Sequence, residues 1–331
     1  MISLESQVLE RHLCLLENRH ILFVGGVNDN FPQQLCDKAK SVSCWSWYFD
    51  YAENKSAVKF SVDFFPNTAD LIIYYWTKNK QENQLQLMQL LSQCLPEQEV
   101  LIIGENRSGV RSVEKMLSPF GDIGKIDSAR RCGLYHFCLK SLPHFNLEKY
   151  WKDYQDAQLG DLTIFSLPGV FSASELDIGT ALLLSSLTQP IKGRVLDMGC
   201  GAGVIGSYIK QHNPLVTLTM ADIHALALTS ARRTLIENKL EGEVVASNVF
   251  SQIEGKFDLI ISNPPFHDGM DTTFRMVSEL IEQAKWYLSE GGELRIVANA
   301  FLPYADLLDL HFGSHQVLAK TNKFKVYSAF Y

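Results

Sequence analysis

Four short segments recur, in the same order, in the two halves of this 331-residue chain. Ile21-Leu22-Phe23-Val24-Gly25-Gly26 resembles Val195-Leu196-Asp197-Met198-Gly199-Cys200-Gly201, and Asp70-Leu71-Ile72-Ile73-Tyr74 resembles Asp258-Leu259-Ile260-Ile261-Ser262. Leu95-Pro96-Glu97-Gln98-Glu99-Val100-Leu101-Ile102 resembles Leu288-Ser289-Glu290-Gly291-Gly292-Glu293-Leu294-Arg295. Phe120-Gly121 ahead of Leu134-Tyr135-His136-Phe137 resembles Phe312-Gly313 ahead of Val326-Tyr327-Ser328-Ala329-Phe330. Matches that keep their order point to a duplicated α/β unit. In the second copy, strand-length apolar runs at 194–198, 216–221, 243–247, 257–262 and 293–298 alternate with helical patterns at 175–188, 204–212, 224–239 and 273–289. This alternation predicts a mainly parallel sheet covered on both faces. Two last runs, 316–320 and 324–330, joined by Thr321-Asn322-Lys323, predict a terminal hairpin that adds an antiparallel strand. The boundary between domains 1–155 and 156–331 is expected in the polar stretch around Tyr150-Trp151-Lys152-Asp153-Tyr154-Gln155-Asp156.

An apolar content of 46% supports two cores at roughly 150 residues per domain. The net charge of −7 argues against a broad nucleic-acid surface, so any RNA contact must come from local patches. One such patch is the segment holding Arg107, Arg111, Lys115, Lys125, Arg130 and Arg131, which outweigh Glu114, Asp122 and Asp127. The competing reading of that segment is a solvated face. Seven cysteines without a CxxC pair suggest free thiols in a reducing compartment. The nine histidines form no ligand-spaced cluster, so no metal site is expected. Charges at Glu5, Glu10, Arg11, Glu17 and Arg19 argue against a signal peptide. No apolar run reaches ~18 residues, so no membrane contact and a cytoplasmic location are expected.

Chemistry concentrates in the second half. Asn263-Pro264-Pro265-Phe266 follows the apolar run Phe257–Ser262. Two prolines hold the backbone extended and remove two amide donors, which leaves carbonyls free to accept. The Asn263 amide oxygen and the Pro264 carbonyl can then both accept from one planar NH2 group, while Phe266 offers a stacking surface. Val195 to Gly203 reads as a buried strand running into a glycine-rich turn with a helix behind it. Glycines let the backbone turn sharply beside a ligand, and ligands settle at the carboxyl ends of such strands. Asp222 closes the next strand, where a carboxylate can take both hydroxyls of a ribose, and Asn248 closes the one after, where it can bond an adenine edge. Gly201-Ala202-Gly203-Val204-Ile205-Gly206 also satisfies the dinucleotide fingerprint, which leaves a nicotinamide- or flavin-dependent oxidoreductase as a competing class. Against it, Asp197 would repel a pyrophosphate but attract a cation, and Asn263-Pro264-Pro265-Phe266 has no role in hydride transfer.

The glycine turn together with Asn263-Pro264-Pro265-Phe266 resembles class I S-adenosylmethionine-dependent methyltransferases that act on amino nitrogens. With Leu167-Pro168-Gly169-Val170-Phe171-Ser172, Leu176-Asp177-Ile178-Gly179 and the tail His267-Asp268-Gly269, the whole chain resembles the ribosomal RNA small subunit methyltransferase C family. That resemblance implies two tandem Rossmann-like methyltransferase domains with mainly parallel seven-stranded sheets. The first would be degenerate, without cofactor, supporting folding and docking RNA. It implies methyl transfer to N2 of a guanine, position 1207, in 16S rRNA of the 30S subunit, by a monomer. The relatives acting on a guanine N2 of 23S rRNA share the layout, and a non-catalytic RNA-binding scaffold is the alternative of another class. The implied catalytic residues are Asn263, Pro264 and Phe266. S-adenosylmethionine would be held by Phe171, Asp197, Gly199, Gly201, Gly203, Asp222, Ile223, Asn248 and Asn263, with Asp177 beside Phe171 as a further cover. Pro265, Phe266, His267, Asp268 and Arg275 are the candidate base pocket, and Arg130 and Arg131 the candidate docking residues.

Overall fold

The computed structural model describes residues 2–64, 68–264 and 270–331. The chain divides into two units, Met1–Tyr150 and Trp151–Tyr331. In the first, seven strands form one sheet: β1 (His20–Gly25), β2 (Ser41–Ser46), β3 (Val58–Phe60), β4 (Leu71–Tyr75), β5 (Glu99–Glu105), β6 (Gly121–Ala129) and β7 (Cys132–Leu139). Their order is β3-β2-β1-β4-β5-β7-β6, parallel from β3 through β5, with β7 antiparallel to both neighbours. The central strand β4 is buried along its whole length, as its unbroken Leu-Ile-Ile-Tyr-Tyr run requires when helices cover both faces.

The second unit begins with a hairpin, β8 (Lys152–Gln155) and β9 (Thr163–Ser166). Residues 152–155, expected at the end of the first domain, therefore pair within the second. The rest builds β10 (Arg194–Met198), β11 (Thr217–Asp222), β12 (Glu243–Ala246), β13 (Phe257–Ser262), β14 (Leu288–Asn299), β15 (Gln316–Lys320) and β16 (Phe324–Phe330). Their order, β12-β11-β10-β13-β14-β16-β15, repeats that of the first unit position by position. The four recurring segments fall on or run into β1 and β10, β4 and β13, β5 and β14, β7 and β16. They mark the strands whose apolar runs the buried sheet centre demands.

Helices Ile178–Ser185, Val204–His212, Ala225–Glu237 and Met270–Tyr287 cover the second sheet. The first is shorter than the expected 175–188, because the Asp177 carboxylate accepts the Thr180 N–H at 2.9 Å and fixes the helix start. Its far end is anchored as well: Arg295 on β14 donates to the Ser186 carbonyl at 2.9 Å while Glu293 holds the guanidinium at 2.7 and 2.9 Å. The Ala225–Glu237 helix carries the β8–β9 hairpin through Ser230, Thr234 and Asn238, which bond the backbone of Leu167, Phe165 and Thr163. Among the described residues no helix is long and apolar enough to cross a membrane, and no His, Cys, Asp and Glu group could hold a metal.

Candidate active site

Strand register builds the site. Met198 on β10 pairs with Ala221 on β11 and with Ser262 on β13. Gly199, Asp222 and Asn263 thus stand at one level on the carboxyl edge of three adjacent strands. At about 4.8 Å between strands, the backbones of Asp222 and Asn263 are roughly 10 Å apart with the glycine turn between them.

The three glycines of the turn divide the work. Gly199 (φ +71°) and Gly201 (φ +54°) adopt left-handed backbone; a side chain at Gly199 would meet nothing, and one at Gly201 only the Phe171 carbonyl, 3.9 Å away. That open space is room for a ligand. Gly203 faces inward, where a Cβ would press on Ala231 at 3.1 Å and on the Met220 sulfur at 3.2 Å. Its absent side chain lets the following helix pack.

Asp222 shapes the turn, with one oxygen taking the Gly201 N–H and the other the His224 N–H, each at 2.9 Å. Burial raises its pKa, and these donors oppose the rise. Each oxygen keeps a lone pair for a hydroxyl donor. Asp197 is fully buried; one oxygen accepts the Gly206 N–H at 2.8 Å and the other has no partner among the described residues. Burial pushes its pKa up to about 7, against the Gly206 hydrogen bond and with help from the Asp222 charge. A carboxylate at this edge, an orphaned acceptor behind it and two open glycines fit a ligand with ribose hydroxyls and a positive charge, as S-adenosylmethionine carries.

Asn263 is 8% exposed, and its amide orientation is fixed. Nδ2 donates to the Thr180 hydroxyl at 2.8 Å and to the Asp177 carboxylate at 3.1 Å. Both partners sit at the start of the Ile178–Ser185 helix. Since a carboxylate only accepts, the amide nitrogen must face it, and Oδ1 points the other way. Oδ1 is shielded from water and has no partner among the described residues. An acceptor in that condition costs about 1–3 kcal/mol until a donor arrives.

The remaining candidates divide. Phe171 is half-exposed with its backbone over the Gly201 turn, and the Asp177 carboxylate accepts from the Asn263 amide. Ile223 adjoins Asp222 in a partly exposed turn, Asn248 is exposed where the Ser247 N–H meets the Asp222 carbonyl, and Pro264 is buried. Arg275 is exposed on the Met270–Tyr287 helix and forms no ion pair among the described residues. Pro265, Phe266, His267 and Asp268 lie outside the described residues.

In the first unit the basic patch resolves unevenly. Arg107 is paired with Glu105, Arg111 faces Glu114 at 3.8 Å, and Lys125 lies over the Tyr135 ring at 5.9 Å. Asp127 is taken by His12 at 2.7 Å and Arg11 at 3.4 Å. Arg130 and Arg131 form the two-residue tip between β6 and β7, exposed, at φ +50° and +64°, with no ion pair among the described residues. Thr180 went unnoticed in the sequence. Its spacing from Asp177 marks a capped helix start, but the partner is 83 residues away.

The Methyltransferase small domain family matches residues 161–328, and the Methyltransferase small domain N-terminal family matches residues 6–154. The chain is 72% identical over 328 residues to the ribosomal RNA small subunit methyltransferase C of Pasteurella multocida, covering 99% of each chain. It is 66% identical to that of Haemophilus influenzae strain Rd, again over 99% of each. The fold matches the solved T. thermophilus 16S rRNA N2 G1207 methyltransferase, a complex with AdoMet and guanosine, at a TM-score of 0.81 and 21% identity, over 94% of this chain and 88% of that one.

Proposed function

Because the chain belongs to the ribosomal RNA small subunit methyltransferase C family, we propose that it methylates N2 of a guanine in 16S rRNA, position 1207. It works as a cytoplasmic monomer on the small ribosomal subunit, with S-adenosylmethionine as methyl donor. The observation that carries this reading is the orphaned Asn263 Oδ1 at the level of the glycine turn.

When bound, the cofactor supplies an electrophilic methyl on a sulfonium. The protein's part is to make a poor nucleophile reactive. The lone pair of guanine N2 is delocalised into the ring. Asn263 Oδ1 and the Pro264 carbonyl accept its two N–H bonds and draw the nitrogen toward tetrahedral geometry, so the freed pair faces the donor. Alignment of this kind has a ceiling of ~7–11 kcal/mol, of which two hydrogen bonds supply a part. The methyl would leave a neutral thioether behind, and the N2 proton, acidic only once the methyl has arrived, would pass to water, so no strong base is needed. Asp222 takes the ribose hydroxyls and Asp197 balances positive charge. Extruding the base from folded RNA costs a few kcal/mol, which stacking on Phe266 offsets by ~1–3 kcal/mol.

The first unit carries no cofactor in this account. Phe23 is buried core where Asp197 stands in the second copy, and the Tyr75 hydroxyl is 2.7 Å from the Ser6 hydroxyl where Asn263 stands. Its contribution is RNA docking through Arg130 and Arg131. A two-residue hairpin tip wants positive φ at both positions, which Asn-Gly adopts without strain and Arg-Arg does not. Arg130→Asn with Arg131→Gly should stabilise the chain by about 1 kcal/mol and weaken RNA binding, read by thermal melting and filter binding. Stabilisation with unchanged RNA affinity would remove the docking role.

Thr180→Val removes one acceptor from Asn263 Nδ2 while keeping the Asp177 cap. Turnover should fall about tenfold, a loss of ~1.4 kcal/mol, with cofactor affinity held. Added to Asn263→Ala, the same change should cost nothing more. Additive losses would mean that Thr180 acts elsewhere. The reading as a whole is tested by incubating the enzyme with labelled cofactor and unmodified small subunits, large subunits and free rRNAs. Label in N2-methylguanosine of 16S rRNA is expected; label confined to 23S rRNA or to protein contradicts it.

A further inference from the structure

Beside the candidate site, the tip of the β15–β16 hairpin gathers three lysines with no acid among residues 316–325. Lys320 and Lys325 are cross-strand partners, and Lys323 sits in the turn between them. Like charges placed directly opposite on an antiparallel pair destabilise it. Among the described residues none of the three lysines forms an ion pair to relieve this. The arrangement is nevertheless held firmly. Thr321 Oγ1 accepts the N–H of Lys323 at 3.3 Å and of Phe324 at 3.0 Å, and the Lys323 carbonyl takes the Ala300 N–H at 2.8 Å. The next residue after Ala300, Phe301, is 77% exposed.

The tip adjoins Asn263. A Cβ built on Gly179 would lie 3.5 Å from the Phe324 ring and 3.6 Å from Asn263 Nδ2, so the ring of the residue that Lys323 and Lys325 flank lies across Gly179 from the Asn263 amide. The hairpin occupies the position in the second sheet that β6–β7, with Arg130 and Arg131 at its tip, occupies in the first. Both copies therefore present unneutralised cations at the same topological point.

We infer that Lys320, Lys323 and Lys325 form a phosphate grip that holds the RNA backbone next to the target guanine, with Phe301 as a stacking platform for a neighbouring base. A phosphate between Lys320 and Lys325 turns their mutual repulsion into attraction, and cations beside an exposed aromatic ring are the pattern of single-strand binding. The inference rests on RNA being the substrate. It adds where the strand enters.

The test uses the full chain with all three lysines changed to glutamine, the triple arginine variant, and Phe301→Ala. Binding of a 16S rRNA fragment is measured by filter binding as salt is varied, with cofactor affinity measured by calorimetry. Each phosphate contact contributes about 0.7–0.9 to the slope of log affinity against log salt, so the glutamine variant should lose about 2 of that slope. The arginine variant should keep it, Phe301→Ala should weaken binding about tenfold, and cofactor affinity should not move. A glutamine variant with wild-type affinity and slope overturns the grip, as does one that loses cofactor affinity in parallel. A wild-type protein that binds RNA through these lysines but yields no N2-methylguanosine would refute the proposed reaction and leave the grip standing.

Discussion

Asn263→Ala is expected to lower turnover by about a hundredfold to a thousandfold while changing cofactor affinity less than threefold. The magnitude follows from removing one preorganised hydrogen-bonding group from a shielded site, which costs ~2.7–4 kcal/mol where such groups have been deleted. The division between turnover and affinity follows from geometry. The Asn263 amide is committed through Nδ2 to Thr180 and Asp177, and its Oδ1 has no partner among the described residues, while Asp222 and the open Gly199 and Gly201 stand at the ends of the neighbouring strands. Single-turnover rates and calorimetric titration separate the two quantities. Equal losses in both would move Asn263 from the catalytic to the cofactor role. Asn263→Asp is the sharper variant. It keeps the shape but sets a second carboxyl group against Asp177, 3.1 Å from the present Nδ2. Asp177→Asn in the same chain restores a donor–acceptor pair and should recover part of the lost rate.

Asp197→Asn is expected to stabilise the cofactor-free protein while abolishing cofactor binding. The Asp197 carboxyl titrates at about 7 in the folded chain against an ordinary 3.8, so folding favours its protonated form. The sign follows. Below pH ~4 the group is protonated folded and unfolded, and the contribution is intact. It is lost as pH rises toward 7, where an ionised carboxylate must be buried with one oxygen unpartnered. The gap corresponds to at most about 4 kcal/mol. An asparagine can still accept from Gly206 and carries no charge to desolvate. Thermal melts from pH 4 to 8 should show the variant and wild type converging at the acid end and separating to a plateau above pH 7. Added S-adenosylmethionine should raise the melting temperature of the wild type only. A variant less stable than wild type at pH 8 would show that the ionised carboxylate supports the fold.

Much of this architecture was readable before any coordinates. The strands Arg194–Met198 and Phe257–Ser262 and the helix Val204–His212 begin and end where their apolar patterns do, because parallel strands covered on both faces are mostly apolar, with Asp197 the buried exception on the first. The β8 strand was not readable: Lys152-Asp153-Tyr154-Gln155 is mostly exposed, so no burial pattern marks it. An acceptor role for Asn263 was expected from the prolines behind it, and the structure leaves its Oδ1 buried without a partner among the described residues. The reason its oxygen is the free end was not, since Asp177 and Thr180 reach it across 86 and 83 residues. The hairpin lysines were hidden for a related cause. Only the strand register sets Lys320 opposite Lys325, and only the sheet order brings their turn beside the helix that carries Asp177. Chain pattern reports burial; it does not report which distant polar groups meet.

The most direct measurement is a structure of the enzyme with demethylated cofactor product and guanosine. Guanine N2 should lie about 2.8–3.1 Å from Asn263 Oδ1, on the side facing the cofactor sulfur, with Nδ2 still held by Thr180 and Asp177. A guanine bound away from Asn263, or an amide turned so that Nδ2 faces the base, would contradict the account.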